Sequence, residues 1–99
     1  MAYTEQQIIN DFISLMTQEG SGYRYWYVGI SKDAEDRLFN GHGVDQKDDW
    51  WIYRQAFSSR SARNVENHFL ALGCDGGSGG GDQDADYVYA YRKTRDTNP

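Results

Sequence analysis

WYVGISKDAEDRLFNGH, residues 26–42, decides how the chain is read. Its first half is aromatic and β-branched, which suits a pleated, half-buried strand. Gly29 offers a turn and Ser31 a side-chain cap for a following helix. Asp33, Glu35 and Asp36 would lie near that helix's positive end, and NGHG, 40–43, would close it, with Gly41 free to take a left-handed backbone. A strand that feeds a helix needs no more than this turn and cap. Tyr27, Arg37 and His42 are extra, so they are either ordinary core and surface residues or parts of a site.

Outward from that stretch the elements alternate. Upstream, residues 5–18 carry Ile8, Ile9, Phe12, Ile13, Leu15 and Met16 at helical spacing. Thr4 and Gln7 have capping-box spacing, and Gly20 to Gly22 stop the helix. The strand then covers 24–30. Downstream, 43–49 is a polar loop and WWIYRQAF, 50–57, a second strand. Ser58 or Ser59 caps a third helix, whose Ala62, Val65, Phe69 and Leu72 share one face before Gly73. CDGGSGGGDQDAD, 74–86, reads as a flexible Gly/Asp-rich connector. YVYAYRK, 87–93, is the last strand, and 94–99 is expected to fray. The order α-β-α-β-α-β predicts a single α+β domain over 1–99. Its sheet would be small, three-stranded, mixed or antiparallel, and packed with three helices.

Bulk properties narrow the function. The 99 residues hold eight tyrosines, four phenylalanines and three tryptophans. These fill a thin core with few residues and leave phenol tips for hydrogen bonding. A lone cysteine, Cys74, cannot close an internal disulfide, so a reducing, cytoplasmic setting is expected. No run approaches the length of a membrane span. The net charge of −5 argues against broad electrostatic binding to nucleic acid. Acid gathers in 33–49 and 75–86, however, and base in Arg54, Arg60, Arg63 and in Arg92, Lys93, Arg95, so a local basic face is compatible with the total.

With these residues set out, a resemblance emerges. YVGISKDAEDRL, followed by Gly41-His42, resembles the second strand and helix of the GIY-YIG nuclease family, in which Tyr-Ile-Gly and a short cap precede a helical arginine. Tyr27, Val28, Gly29 and Arg37 fall at matching offsets, and His42 lies near a position where many members carry His or Tyr. SSRSARNVENHFL, 58–70, resembles the later helix, where a small residue precedes the metal-binding glutamate; Ala62 and Glu66 fit. These segments cover roughly half the chain. The family's opening GIY strand has no upstream counterpart, because the gap from Tyr23 to Tyr27 is too short for a hairpin. DYVYAYRKT, 86–94, resembles it instead, with Val88-Tyr89 in place of Ile-Tyr. The resemblance thus implies a circularly permuted GIY-YIG-like fold. The family's late asparagine has no evident match.

What the resemblance implies chemically is Mg²⁺-dependent hydrolysis of DNA or RNA phosphodiesters. Glu66 would hold the metal and Arg37 the phosphate. Tyr27 or Tyr89 would take a proton from water, and His42 would assist as acid or base. Each residue also has a local reading. Tyr27 and Tyr89 can be strand packing, Arg37 can pair with Asp33, Glu66 can pair with Arg60 or Arg63, and His42 can sit on a helix end. A second function class follows from those readings and from the acidic balance. It is a noncatalytic module that binds a protein partner, such as an inhibitor of nucleic-acid-processing machinery, with Trp50 and Trp51 at the contact. Asp82, Asp84 and Asp86 alternate like the start of a calcium loop but lack its glycine and closing glutamate.

Overall fold

A computed structural model describes residues 1–77 and 83–99. It contains strand β1 (Ala2–Tyr3), helix α1 (Glu5–Glu19), strand β2 (Trp26–Ser31), strand β3 (Trp51–Ala56), helix α2 (Ser59–Leu72) and strand β4 (Tyr87–Arg92). A short 3₁₀ turn, Tyr23–Tyr25, precedes β2, and a π-type helix, Asp36–Gly41, follows it. The fold is α+β. Its sheet is mixed and four-stranded, in the order β1-β3-β4-β2. β4 lies inside, antiparallel to both β2 and β3, and β1 runs parallel to β3.

Local chemistry accounts for the helix ends. The Thr4 hydroxyl accepts from Gln7 N while Gln7 Oε1 accepts from Thr4 N, completing the expected capping box. Gly20, at φ 86°, ends α1 in the left-handed conformation. Ser58 caps α2 by accepting from Ser61 N.

Strand alternation divides the sheet into two layers. Trp26, Val28 and Ile30 of β2, Val88 and Ala90 of β4, and Ile52 of β3 face α1 and α2. There they meet Ile8, Phe12, Ala62, Val65 and Phe69 in an apolar core. The opposite faces of β2 and β4 present Tyr27, Tyr89 and Tyr91, which pack with Leu38, Ala34 and Val44.

Four features differ from the sequence reading. The sheet gains a fourth strand, because β1 pairs only Ala2 with Gln55 and Tyr3 with Ala56; two residues carry no periodicity to read. The middle helix is a π-type turn closed by His42 N donating to Arg37 O at 2.8 Å. Ser31 does not cap it but forms a tight turn onto Asp33, whose Oδ1 accepts from Asp36 N. Finally, 94–99 is tied down rather than frayed: Thr97 is buried and Asn98 N donates to His42 O at 2.7 Å. The connector's first residues line the outer edge of β2, where Val28 N donates to Asp75 O and Asp75 N to Trp26 O. Residues 78–82, including Asp82 of the alternating aspartates, lie outside the described residues.

Candidate active site

The β2–β4 register builds the centre of the site. Tyr27 lies opposite Tyr91, and Gly29 opposite Tyr89. All four sit on the tyrosine face. Gly29 is no turn residue, because it lies within β2. Its role is close approach: a Cβ there would stand 2.5 Å from the Tyr89 hydroxyl and 2.6 Å from the ring carbon that bears it. Only glycine lets that phenol lie across the neighbouring strand.

The π-type turn brings His42 over these rings. Its ring centroid is 4.7 Å from that of Tyr27, 5.0 Å from Tyr91 and 5.5 Å from Tyr89. Nδ1 lies 2.6 Å from Asn98 O, and Nε2 lies 2.8 Å from the Tyr89 hydroxyl. A carbonyl can only accept, so Nδ1 carries the hydrogen. In the neutral ring Nε2 is then a bare acceptor, and Tyr89 O–H donates to it. The Tyr91 hydroxyl also approaches Nδ1, at 3.1 Å.

Arg37 and Glu66 complete the group. Arg37 is exposed on the π-type turn, where its charge and hydrogen bonding favour the ionised form of Tyr89. Its charge also favours ionised Tyr27 and disfavours protonated His42. Among the described residues no ion pair joins it to Asp33, whose carboxylate accepts from Asp36 N instead. Glu66, on α2, is only 6% exposed, yet no hydrogen bond or ion pair to a described residue holds it. Because no fully buried side-chain oxygen among the described residues lacks a partner, its carboxylate must still touch solvent. Arg63 acts on it only through charge. Glu66 is near enough to Tyr27 and Tyr89 that its charge opposes ionisation of both.

Burial dominates the protonation states. It pushes the Tyr89 phenol up to about 12 and raises Tyr27 and Tyr91 as well. A hydrogen bond from the Gly77 backbone partly counters this at Tyr27. Burial also raises Glu66 above the usual carboxylate range and lowers His42, with the Asn98 carbonyl pulling His42 the other way. The resting site therefore holds neutral phenols and a neutral imidazole whose unprotonated Nε2 accepts from Tyr89 at neutral pH.

Tyr27, Arg37, His42 and Tyr89, expected as one set, thus share one face, with Glu66 within electrostatic range. Three contributors escaped the sequence reading: Tyr91, the Gly77 N–H and the Asn98 carbonyl. Tyr91 could have been found by counting two residues on from Tyr89 along the strand. The other two are backbone groups, which leave no signal in side-chain patterns.

A divalent cation is the cofactor that the nuclease resemblance implies. Among the described residues no cluster of three or more His, Cys, Asp or Glu could hold one. Glu66 alone fits the weaker requirement of a hydrated Mg²⁺, which keeps several waters and takes one or two carboxylates plus substrate phosphate oxygens. Its oxygens have no partner among the described residues and reach solvent. Compared with known protein families, curated proteins and solved structures, the chain matches none. Among the described residues no helix is long and apolar enough to cross a membrane.

Proposed function

We propose that this domain is a permuted GIY-YIG-like hydrolase of nucleic-acid phosphodiesters that works with Mg²⁺. The observation that carries the reading is the convergence of Tyr27, Arg37, His42 and Tyr89 on one sheet face within electrostatic range of the Glu66 carboxylate, which has no hydrogen-bond or ion-pair partner among the described residues. The pairing of Gly29 with Tyr89 supports the permutation, because it sets a Val-Tyr strand next to the Tyr-Val-Gly strand.

In this reading Arg37 reaches out from the π-type turn to bind a non-bridging phosphate oxygen and offset charge that grows in the transition state. Mg²⁺ held at Glu66 would supply positive charge to polarise the phosphodiester and ease ionisation of nearby groups. Water attacks phosphorus and the P–O bond to the leaving oxygen breaks. As it attacks, water passes its proton to the Tyr89 oxygen while the Tyr89 proton moves to His42 Nε2. This relay explains how a phenol pushed up to about 12 could act at neutral pH, since it never needs to stand alone as a phenolate. Tyr27, which accepts from Gly77 N–H, packs against the His42 ring and holds it in place.

The direct test incubates the purified protein with single-stranded, duplex, nicked and branched DNA and RNA in Mg²⁺ or Mn²⁺. Cleavage that disappears in Glu66→Ala is expected. Failure to cut any of these, or equal cutting by Glu66→Ala, sinks the hydrolase reading. A second reading, a noncatalytic protein-binding module, draws on the exposed Trp50, which follows the exposed acids Asp45 and Asp48 closely in the chain. A partner recovered by wild type and lost in Trp50→Ala, with no cleavage, would favour it.

A further inference from the structure

We propose that the segment 97–99 is a positioning element that fixes the tautomer of His42 through the Asn98 carbonyl, so that Nε2 faces Tyr89 as a proton acceptor. The inference rests on the relay reading of Tyr89 and His42, but its test reads the imidazole directly.

The segment is built for the task. Thr97 Oγ1 accepts from Thr94 N at 2.9 Å and donates to Thr94 O at 3.0 Å, folding the chain back. Asp96 N adds a bond to Thr94 Oγ1. Thr97 is buried beneath this clasp. Asn98 then makes a reciprocal pair with His42: its N–H donates to the His42 carbonyl, and its own carbonyl accepts from His42 Nδ1. Gly43, at φ 69°, turns the chain away beside Asp96 and Asn98. Two bonds to one residue fix both backbone and ring, so the ring cannot flip without losing one of them.

The groups facing the ring show why an external partner is needed. Tyr27 offers its ring, Tyr89 a hydroxyl to Nε2, and Tyr91 a hydroxyl to Nδ1, with Arg37 beyond. A hydroxyl can donate or accept, so neither tyrosine dictates where the imidazole hydrogen sits. Among the described residues, the Asn98 carbonyl is the one partner that admits a single tautomer. It plays the part that an oriented acceptor plays behind any catalytic histidine: it holds the hydrogen on the far nitrogen and stabilises the imidazolium once Nε2 takes a proton. Because the contact is backbone, Asn98→Ala should leave it intact.

Nitrogen-15 NMR of the labelled imidazole distinguishes a bare ring nitrogen from one bearing hydrogen. Wild type, Asn98→Ala and Tyr91→Phe should all show hydrogen on Nδ1 and a bare Nε2. A chain ending at Asp96 should lose that signature and show hydrogen on Nε2, wholly or in exchange. If that chain does not fold, Thr97→Ala, which removes the clasp hydroxyl together with the γ-methyl, should shift the signature the same way. Hydrogen on Nε2 in wild type overturns the proposal. So does loss of the signature in Tyr91→Phe, or an unchanged signature in the folded shortened chain or, where that chain does not fold, in Thr97→Ala. If wild type carries the expected tautomer yet cuts no nucleic acid, the hydrolase reading fails while this inference stands.

Discussion

The two faces of the sheet come from the same strands and solve opposite problems. On the helix side, Trp26, Val28, Val88 and Ala90 meet α1 and α2 through carbon-rich surface. One of the few polar atoms there, the Trp26 indole N–H, is turned out to Glu19. On the other side, Tyr27, Tyr89 and Tyr91 are buried too, yet the Tyr89 and Tyr91 hydroxyls meet at one imidazole, against which the Tyr27 ring packs. The first arrangement is held by area and volume. The second is held by directed hydrogen bonds in a setting of low polarity, where each group's proton depends on its neighbours. Stability should therefore be concentrated on one face and chemistry on the other.

Truncating the helix face should give the largest loss of stability. Phe69 is fully buried, with its ring 5.5 Å from that of Phe12. Phe69→Ala should lower the unfolding free energy by about 3–5 kcal/mol, measured by urea titration. A loss below that of any tyrosine-face variant would break the division.

Gly29→Ala probes the junction between the faces. The added methyl meets the Tyr89 hydroxyl at 2.5 Å with no strain in its own backbone, so the phenol must move. The cost should be about 1–3 kcal/mol, as for other overpacked cores. The Tyr89–His42 bond should break with it, visible as a shift of the His42 ring signals. Unchanged ring signals would mean that Tyr89 is not held over Gly29.

Tyr89→Phe removes one hydroxyl and keeps the ring. Stability should fall by only about 1 kcal/mol, the usual worth of one hydrogen bond. Cleavage of whichever nucleic acid wild type cuts should drop by about 100-fold or more, as expected when an acid–base group is lost. Residual wild-type cleavage should also fall as pH drops through the lowered pKa of His42, because a protonated Nε2 cannot accept. Equal activity in Tyr89→Phe would leave the tyrosine face as a second core.

How much of this could be read from the chain depends on the length scale of each signal. α1 and α2 were legible because Ile8, Phe12 and Met16, or Ala62, Val65 and Phe69, repeat over several turns between good caps. β4 was legible from its tyrosines, and its place beside β2 followed only from the resemblance. β1 was not legible, because two residues show no period. The middle helix was read as an ordinary one since its composition matches. Its π-type closure goes with the packing of Leu38 and His42 on the tyrosines, a tertiary contact that composition does not show. Segment 94–99 looked like a polar end because its grip depends on main-chain atoms of Asn98 and on a Thr94–Thr97 clasp. For the site, residue types and spacing identified side chains, while the orientation of His42 required the folded backbone.

Glu66 sharpens the comparison most, because it belongs to a helix of the apolar face yet acts on phenols of the other. Burial raises its pKa above the unfolded value near 4.3. The folded state thus holds this proton more tightly than the unfolded chain. The resulting stabilisation is present below the unfolded pKa and lost as pH rises through the folded pKa. His42 works in the opposite sense, since its lowered pKa gives stability that is present above about 6.5 and lost as pH falls. Comparing Glu66→Gln with wild type removes the His42 contribution, which both share. The variant should be more stable than wild type at pH 7, by a few tenths to about 1 kcal/mol for a carboxylate that still touches solvent, and the difference should shrink as pH falls towards 4. Its cleavage should nevertheless be lost, because a neutral amide is a poor substitute for a carboxylate at a divalent cation. Gain of stability with loss of activity is the sign expected of a charge kept for chemistry against the preference of its surroundings. Equal stabilities across that pH range would place the Glu66 carboxylate in ordinary solvent and remove the link between the two faces.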